Sequence, residues 1–369
     1  MWEQMQTHRN SDIDHYLNVL GTRANIIAPH VVVMSAGDVP VSMAVGRIER
    51  LTLGFKLGAA TLYSPRVRAL RIIYGGLLGE QTVETAEAAH RELMRLLASG
   101  RVDVIRFDYL PVESPLYRLV EKGSGLLQRD RFATVDTHWR MTLPESLDAF
   151  YQSRSGKHRG WLRRMERLLE RDIPGEVRYS SCTSDSDLDR VFADAESIAR
   201  KTYQRQLGVG FVDNEETRRI QGFLARRGRL RVYFNHVKGE PSAFWLGELY
   251  RDTFTVFSIG YDPAYRKYEL GTLLFLRVVD DLCKLGTVRF IDFGFGDASY
   301  KSRFGDHATR EATLLVFAKS PRGVWLNVAR NLIQGSHAAA ATLVRKLKLL
   351  DRLKSARRRK AAGGVDGRS

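Results

Sequence analysis

The residues best suited to proton transfer gather around one strand-like run near the carboxyl end of the chain. The run 288-VRFIDF-293 contains Asp292, and Asp297, Tyr300 and Lys301 follow it. Carboxylates, amines and phenols are groups that enzymes use as general bases and acids. Asp292 and Asp297 are therefore candidate bases, acting directly or through water, and Tyr300 is a candidate acid because its phenol can donate a proton.

Each of these polar side chains also has a structural interpretation. Glu248, on a preceding strand-like run, is a further candidate base, and any of the three carboxylates can instead serve the fold. By strand alternation Asp292 lies opposite Ile291 and Phe293, so it faces either a groove or solvent. Lys301 is either a ligand for a phosphate or an acceptor carboxylate, or an exposed lysine.

A basic, glycine-ended loop, 262-DPAYRKYELG-271, precedes a long apolar helix. A bound diphosphate needs several converging backbone N–H groups and a positive field, and a turn that leads into a helix amino terminus supplies both. Arg266 and Lys267 add charge just before the predicted helix. Its apolar positions are Leu270, Leu273, Leu274, Leu276, Val278 and Val279. The loop is a candidate phosphate site, and the alternative is an ordinary turn after a buried strand.

The elements that must position these residues occur twice in the sequence, at a shift of 186 positions. The matching runs are 69-ALRIIYGG-76 with 255-TVFSIGY-261, 84-ETAEAAHRELMRLL-97 with 270-LGTLLFLRVVDDLC-283, and 102-VDVIRFDYL-110 with 288-VRFIDFGFG-296. A predicted hairpin precedes each set, at 31–48 and 231–249. Each half is therefore predicted to be a hairpin, strand, helix and strand with a right-handed parallel crossover. This pattern indicates a fold duplication, and chance similarity of apolar runs is the alternative.

Two further helices are predicted between the halves and after them. Within 151–175, apolar residues recur at helical spacing at Trp161, Leu162, Met165, Leu168 and Leu169. Basic residues cover the rest of this helix, either as a solvated face or as an anion-attracting flank of a groove. A second helix is predicted over 185–206, after a capping stretch.

The composition indicates a globular protein of two domains. The chain has 369 residues, of which 44% are hydrophobic and 10% aromatic. Its two cysteines, Cys182 and Cys283, form neither a CxxC pair nor a disulfide framework, which is typical of a reducing compartment. No signal-like leader or apolar run of about 18 residues occurs. We therefore expect a cytoplasmic protein, with attachment to the inner face of a membrane left open.

Most of the net charge lies in the carboxyl-terminal tail. Residues 322–369 contain twelve Lys and Arg against Asp351 and Asp366, so they carry +10 (12 − 2) of the +16. Leucines at 343, 347, 350 and 353 line one side of a predicted helix, and 357-RRRKAAGGVDGRS-369 is predicted to be disordered. The helix docks on the body, lies on an anionic membrane or contacts nucleic acid.

Several reaction classes lack a site in this sequence. No HExxH, P-loop, GxSxG or spaced Cys/His cluster occurs, which argues against metal hydrolases, NTPases and serine hydrolases. No metal is predicted. The isolated histidines His158, His236 and His307 are interpreted as structural or solvated.

The runs quoted above resemble the GNAT superfamily of acyl-CoA N-acyltransferases. Its signature is Arg or Gln, two residues, Gly, one residue, then Gly or Ala, between the fourth strand and the third helix. Arg266 and Gly271 match this spacing, while Glu269 stands at the first glycine position. The wider pattern, 153–164, 238–274 and 292-DFGFGDASYKSRFG-305, resembles the CelD-like or BioF2-like branch, which is related to the tandem-GNAT FemABX proteins.

The resemblance implies an α/β fold with mixed sheets of α+β character in a tandem GNAT-like arrangement. Two similar halves would each have a central mixed sheet flanked by helices, and a basic helix would follow. The implied domains are a degenerate GNAT-like domain over 1–145, a GNAT acyltransferase domain over 146–320 and a basic helical tail with a disordered end over 321–369. The degenerate half, whose corresponding loop 74-YGGLLGEQTVE-84 lacks Arg and Lys, would shape the acceptor groove.

The resemblance also implies roles for single residues. In this fold the fourth and fifth strands splay apart, and the pantetheine arm of CoA hydrogen-bonds into the gap. The implied acyl-CoA contacts are backbone groups of Ser258, Ile259 and Gly260, together with Arg266, Lys267, Leu270, Gly271 and Thr272. Tyr300 would be the acid that protonates the departing thiolate, and Asp292, Asp297 or Glu248 the base.

The expected function is transfer of an acyl group, most simply acetyl, from acyl-CoA to an amine or hydroxyl. The acceptor would be a small molecule or a glycan precursor, such as a sugar or polysaccharide precursor. One alternative is a Fem-type transferase that uses aminoacyl-tRNA, with a basic surface for the RNA. Another is a non-catalytic GNAT-like binding protein in which Glu269 blocks the loop. The oligomeric state is left open.

Overall fold

The computed structural model describes residues 1–57, 60–125, 127–202, 205 and 210–346. The chain forms two compact units. The first unit contains Met1–Ala24 and Val135–Glu311, and the second contains Asn25–Thr134 and the chain from Ala312 onward. These units divide the chain differently from the bounds 1–145, 146–320 and 321–369, because the first 24 residues belong with the carboxyl half. Those bounds stay a prediction.

The amino-terminal half of the chain contains the following elements. They are α1 (Trp2–Met5), α2 (Ile13–Thr22), β1 (Ile26–Ala36), β2 (Val39–Thr52), β3 (Phe55–Leu57), β4 (Ala60–Tyr63), β5 (Arg66–Gly79), α3 (Val83–Ala98), β6 (Val104–Pro111) and α4 (Pro115–Gly123). In the second unit, the strands pair in the order β1-β2-β5-β6. Only β5 and β6 run parallel in this set.

The carboxyl half continues with β7 (Thr134–Thr142), α5 (Leu147–Gln152), α6 (Gly156–Asp172), β8 (Val177–Cys182), α7 (Leu188–Lys201), α8 (Glu215–Arg226), β9 (Leu230–Val237), β10 (Glu240–Tyr250) and β11 (Thr253–Tyr261). A 3₁₀ helix (Pro263–Tyr268), α9 (Leu270–Leu285), β12 (Phe290–Phe295), α10 (Ser299–Phe304), β13 (His307–Phe317) and α11 (Pro321–Lys346) follow. In the first unit, the strands pair in the order β7-β12-β11-β10-β9-β8, with β11 and β12 parallel.

The predicted duplication is confirmed by the element order. A hairpin precedes β5-α3-β6 in the second unit and β11-α9-β12 in the first. The starts of these three pairs of elements differ by 187, 187 and 186 positions (253 − 66, 270 − 83, 290 − 104). Both halves therefore contain the same parallel crossover, and the predicted mixed α/β fold with two similar halves is confirmed.

Helix α9 packs as its apolar pattern predicts. Its six predicted core residues are all buried, each at most 2% exposed. Phe275 lies between neighbouring aromatic rings, with its ring centre 5.0 Å from that of Trp245 and 5.8 Å from that of Phe293. The burial of this helix against β10 and β12 holds its amino terminus in a fixed place.

The two helices predicted within 151–175 and 185–206 are also present, as α6 and α7. The stretch 151–175 contains the end of α5 and all of α6, which buries Leu162, Met165 and Leu169. Helix α7 begins at Leu188, and residues 203, 204 and 206 of the predicted stretch lie outside the described residues.

The tail leucines 347, 350 and 353 and the segment 357–369 also lie outside the described residues. In the described part of the chain, no helix is both long and apolar enough to cross a membrane.

Candidate functional site

An open gap separates the outer parts of β11 and β12. The two strands pair only from Thr253 with Phe290 to Thr255 with Asp292. Within the described residues, β11 continues to Tyr261 and β12 to Phe295 without further pairing between them. The backbone groups of β11 on this side are thus available to an extended ligand that adds to the sheet edge.

A β-bulge in β11 starts the divergence. Leu246 pairs with Ser258 and Gly247 pairs with Val256, so Phe257 is the extra residue. A Cβ on Gly247 would lie 2.4 Å from the Thr255 carbonyl oxygen, so the bulge requires glycine at this position. Gly46 occupies the corresponding place opposite β5 in the second unit, where its pairing also shifts register. The duplication thus extends to the bulge that opens the sheet.

The strand positions predicted to contact the pantetheine arm lie along the gap. Ser258 and Ile259 are half-buried, and Gly260 is buried. The structure gives a different reason for glycine at 260 than close ligand approach. A Cβ there would lie 2.6 Å from Cε1 of Phe244 on β10, so the neighbouring ring excludes any larger residue.

The amino terminus of α9 presents unpaired amides. Glu269 caps the helix with φ 52° and ψ 43°, the left-handed region that favours glycine. Within the described residues, the amides of Leu270 and Gly271 make no hydrogen bond, whereas the Thr272 and Leu273 amides donate to the Glu269 carbonyl. Two free donors and the positive end of the helix dipole together suit an anion.

The carboxylate of Glu269 turns back on its own helix. The Thr272 hydroxyl donates to Glu269 Oε2 at 3.3 Å, and Arg303 Nη1 lies 3.9 Å from the same oxygen. The side chain remains 43% exposed. The residue therefore adopts a backbone conformation that favours glycine and adds a negative charge beside the free amides.

We expect the substitution Glu269→Gly to tighten CoA binding about tenfold, because it removes a carboxylate that repels a diphosphate. It should also stabilise the fold by about 1 kcal/mol, because glycine adopts positive φ without strain. Calorimetric titration with CoA and denaturant unfolding measure the two effects. Glu269→Gln, which removes only the charge, should reproduce the affinity gain without the stability gain. Unchanged or weaker CoA binding in both variants would contradict this assignment.

The predicted basic and helix-terminal residues occupy different environments. Arg266 is exposed and makes no ion pair within the described chain. Lys267 pairs with Asp172 at 3.1 Å, and Tyr268 donates to the same carboxylate at 3.2 Å. Leu270 and Thr272 are buried, so only their backbone groups or the Thr272 hydroxyl remain for a ligand. Arg266 is thus the cation of this loop that is free to meet a phosphate.

Tyr300 lies on the α9 face of the sheet, beside the gap. Its ring centre is 5.9 Å from that of Trp245 and 6.0 Å from that of Phe293, in edge-on geometry. The Trp245 indole donates to the Gly271 carbonyl at 3.1 Å. The aromatic contacts therefore connect Tyr300, the first turn of α9 and β12, and they fix the phenol ring near the point where the strands part.

Asp292 belongs to a buried cluster that the sequence did not reveal. His138 Nε2 lies 2.7 Å from Asp292 Oδ1, and His138 Nδ1 lies 3.0 Å from Glu311 Oε1. Both ring nitrogens face carboxylates, so both must carry protons if each contact is to be a hydrogen bond. His138 is therefore an imidazolium. No motif marks it, because its two partners are 154 and 173 residues away in the sequence.

The charges of this cluster shift the pKa values of its members. Burial alone would lower the pKa of His138, but hydrogen bonds and charges from Asp292 and Glu311 raise it to about 9. Burial alone would raise the pKa of Asp292, but His138 and the Gly294 amide hold it below its usual value. Burial, and then Arg9, lower the pKa of nearby His8 to about 3, so His8 is neutral. At neutral pH Asp292 is thus an anion next to the His138 cation.

This cluster predicts a loss of stability at high pH. The folded pKa of His138 is about 9, against 6.5 for an ordinary histidine. Protonated His138 therefore stabilises the folded state fully below about pH 6.5. This stabilisation, about 3 kcal/mol, is lost as the pH rises through 9. Denaturant unfolding at pH 7 and pH 10 measures it. His138→Gln should flatten this difference, and an unchanged pH dependence in the variant would contradict the imidazolium.

The remaining predicted residues are less available for chemistry. Glu248 is fully buried; Arg9 donates to one of its oxygens at 2.5 Å and Arg229 donates to the other. Both carboxylate oxygens of Glu248 are thus paired with guanidinium groups and the side chain has no exposed surface, so the geometry favours a structural role for Glu248. Lys301 turns inward and donates to the Phe295 carbonyl, and burial lowers its pKa. Asp297 is exposed.

The second unit has a similar gap without the phosphate-binding features. Strands β5 and β6 pair from Ala69 with Val104 to Ile72 with Phe107, whereas β5 continues to Gly79. Arg71 bridges Glu49 and Asp108 near the end of this pairing. The loop after β5 lacks basic residues, so this half has the shape of the site but not its charge.

Comparison with known proteins identifies the domain that contains this site. Residues 156–302 match the family described as Acetyltransferase (GNAT) domain. This segment is similar to the GNAT acetyltransferase domain. It includes the gap, the 3₁₀ loop, α9 and Tyr300, whereas His138 and Glu311 lie outside the matched range. No curated protein sequence matches the chain significantly.

Solved structures extend the similarity over most of the chain. The crystal structure of FemX is 9% identical, with a TM-score of 0.59, over 87% of this chain and 96% of FemX. The L-PGS structure from Bacillus licheniformis is 12% identical, with a TM-score of 0.49, over 87% of this chain and 96% of that one. A tandem GNAT protein from the clavulanic acid pathway is 12% identical, with a TM-score of 0.42, over 84% and 96%.

The similarity to FemX shows the fold. The predicted tandem GNAT-like fold is confirmed, and FemX shares it. Residues 156–302 therefore have a GNAT-like fold, and the strand gap and the free helix amides lie within this segment. The assignment to the CelD-like or BioF2-like branch stays a prediction.

Proposed function

We propose that the GNAT domain transfers an acyl group from the thioester of acyl-CoA, acetyl-CoA in the simplest case, to an amine or hydroxyl acceptor. The gap between β11 and β12 carries this proposal. It offers an unpaired strand edge beyond Thr255, two free amides at the start of α9 and an exposed arginine in one domain. An extended pantetheine with a diphosphate at one end has the matching hydrogen-bonding groups.

The two candidate catalytic side chains lie on opposite faces of β12. Tyr300 packs against Phe293, and successive strand residues alternate, so Asp292 faces the other way. Two such groups can reach one ligand only where the sheet is open. Asp292 occupies the last paired position before the gap, so a thioester in the gap would lie between the carboxylate and the phenol.

The transfer then proceeds with the following proton balance for an amine acceptor. The acceptor nitrogen bonds to the thioester carbon, and its proton passes to Asp292. A nitrogen bonded to that carbon is a far stronger acid than a free ammonium, so a weakly basic carboxylate suffices. The carbon–sulfur bond breaks, and the thiolate takes the phenolic proton of Tyr300. Tyr300 then regains a proton from solvent, and Asp292 releases one.

His138 would act as a positioning residue for this step. Asp292 Oδ1 accepts from both His138 and the Gly294 amide, each at 2.7 Å. Oδ2 makes no hydrogen bond within the described chain and is the oxygen that would face the acceptor. Glu311 Oε2 is buried and also has no partner among the described residues. These two oxygens would suit the N–H or O–H groups of an acceptor.

Binding of CoA tests the proposal directly. We expect CoA and acetyl-CoA to raise the apparent stability by about 2.7 kcal/mol at a hundredfold excess over the dissociation constant. Arg266→Glu should weaken CoA binding about tenfold by reversing a charge near the diphosphate. Arg178→Glu on the edge strand β8 is the matched control, because it is also an exposed arginine. No stabilisation by CoA, or equal losses in both variants, would contradict the proposal.

One observation favours a second donor, an aminoacyl-tRNA of the Fem type. Helix α6 exposes Lys157, Arg163, Arg164 and Arg167, and it packs beside the 3₁₀ loop through Asp172. A polyanion could follow this face. Charged tRNA in the same stability assay separates the donors. If tRNA binds and CoA does not, aminoacyl-tRNA replaces acyl-CoA as the proposed donor.

The proposed acceptor includes a glycan precursor. A panel of acceptors, scored by thiol release from acetyl-CoA, would test it.

A further inference from the structure

Helix α11 exposes an apolar stripe on the second unit. Trp325, Val328 and Leu332 are 52%, 41% and 69% exposed. At about 100° per residue, the three positions fall within an arc of about 60°. Tyr63, itself 51% exposed, lies beside Trp325 with 5.5 Å between the ring centres. Single exposed apolar residues are ordinary, but four large ones in one patch indicate a binding surface.

The opposite face of α11 is firmly packed. Leu326 is buried with Leu53, Phe55 and Phe317 in one cluster. Asn327 is buried, and Arg330 pairs with Asp130 at 2.9 Å. These contacts fix the rotation of the helix. The stripe is therefore outward because the fold holds it there, and the helix cannot turn it inward without breaking this core.

The sequence after the described residues adds leucines and positive charge. Leucines recur at 347, 350 and 353 in the sequence that follows the described residues. Between 345 and 360 there are nine Lys and Arg and one acid, Asp351. An apolar stripe with Trp and Leu, followed by dense basic residues, is the pattern of a helix that lies in a membrane interface.

We propose that the outward stripe of α11 binds the surface of an anionic lipid bilayer, to which the positive charge of the sequence after it is attracted. The stripe would enter the interface with Trp325 and Tyr63 at headgroup level, and the lysines and arginines would meet the acidic headgroups. A second copy of the chain is a poor occupant, because two tails of +10 repel each other. Nucleic acid would attract the positive charge but would not bury the exposed side chains of Val328 and Leu332.

Co-sedimentation of the full chain with vesicles tests the proposal. We expect binding to phosphatidylcholine vesicles that contain about one third phosphatidylglycerol, and little binding to phosphatidylcholine alone. Leu332→Glu should weaken binding about tenfold or more, because it loses apolar burial and adds a repelled charge. Leu17→Glu on α2 is the matched control, since Leu17 is 55% exposed elsewhere. Its binding should be unchanged, as should the melting temperatures of both variants.

Three results would overturn the proposal. The first is no binding of the wild-type chain to anionic vesicles, including the case in which it binds RNA instead. The second is equal binding by Leu332→Glu and the wild type while deletion of 347–369 abolishes it, because the tail alone would then explain the binding. The third is an equal loss in Leu17→Glu. If Leu332→Glu melts early, Leu332→Ser with the same assay replaces it and should lower binding less steeply.

Discussion

Replacing Tyr300 with phenylalanine is expected to lower kcat about 10²-fold to 10³-fold while leaving CoA affinity within about threefold. The ring of Tyr300 packs against Trp245 and Phe293, and phenylalanine preserves those contacts. The substitution removes the phenolic hydroxyl and its proton. The departing thiolate must then take its proton from water, which raises the barrier of the chemical step and not of binding.

The measurement is steady-state turnover of acetyl-CoA with calorimetric titration of CoA. Tyr268→Phe on the 3₁₀ loop is a suitable control, because it removes a hydroxyl that bonds to Asp172 outside the proposed reaction. A Tyr300→Phe variant with normal kcat would exclude Tyr300 as the acid. A parallel loss of CoA affinity would instead assign Tyr300 to donor binding.

Asp292→Asn is expected to cause the other large effect, a fall in kcat of about 10²-fold to 10⁴-fold. The amide can keep the hydrogen bonds to His138 and Gly294 but cannot take a proton from the acceptor. The substitution also leaves the His138 imidazolium with one carboxylate, so the pKa of His138 should fall. NMR titration of His138 and turnover at matched pH separate the two consequences.

Asp297→Asn provides the control for that substitution. Asp297 follows the same strand but is exposed, so its loss should change kcat less than about threefold. If Asp297→Asn abolishes turnover and Asp292→Asn does not, the base is Asp297 and the buried cluster is structural. If neither lowers kcat, the proton passes directly to water.

The crossover and the loop could be predicted because their signals are local. The apolar spacing of α9, the glycine and basic residues of the loop, and the repeat at 186 positions all lie within short segments of sequence. Residue period and turn chemistry determine such elements, whereas the strand gap and the role of Tyr300 were implied only by the family resemblance. Glu269, an exception in the family pattern, adopts the left-handed conformation that favours glycine.

The buried cluster could not be predicted because its members meet only through the sheet. His138 comes from β7, Asp292 from β12 and Glu311 from β13, and no spacing rule relates them. The same reason explains Glu248, whose partner Arg9 is 239 residues away in the amino-terminal segment. A carboxylate that looks like a free base in the sequence can thus be held in an ion pair by a distant residue. The sequence pattern identified candidate acids and bases, but pairing in the fold decides which carboxylate keeps an unpaired oxygen.

Mapping CoA binding onto the backbone amides of the ²H,¹⁵N-labelled chain by NMR tests the proposed donor site most directly. We expect saturable shifts concentrated in the unpaired part of β11, at Phe257, Ser258, Ile259 and Gly260, and in the first turn of α9, at Leu270 and Gly271. The corresponding gap of the second unit, residues 73–76, serves as an internal reference and should not respond. Shifts confined to that second gap, or no saturable shifts along β11, would contradict the assignment of the donor site.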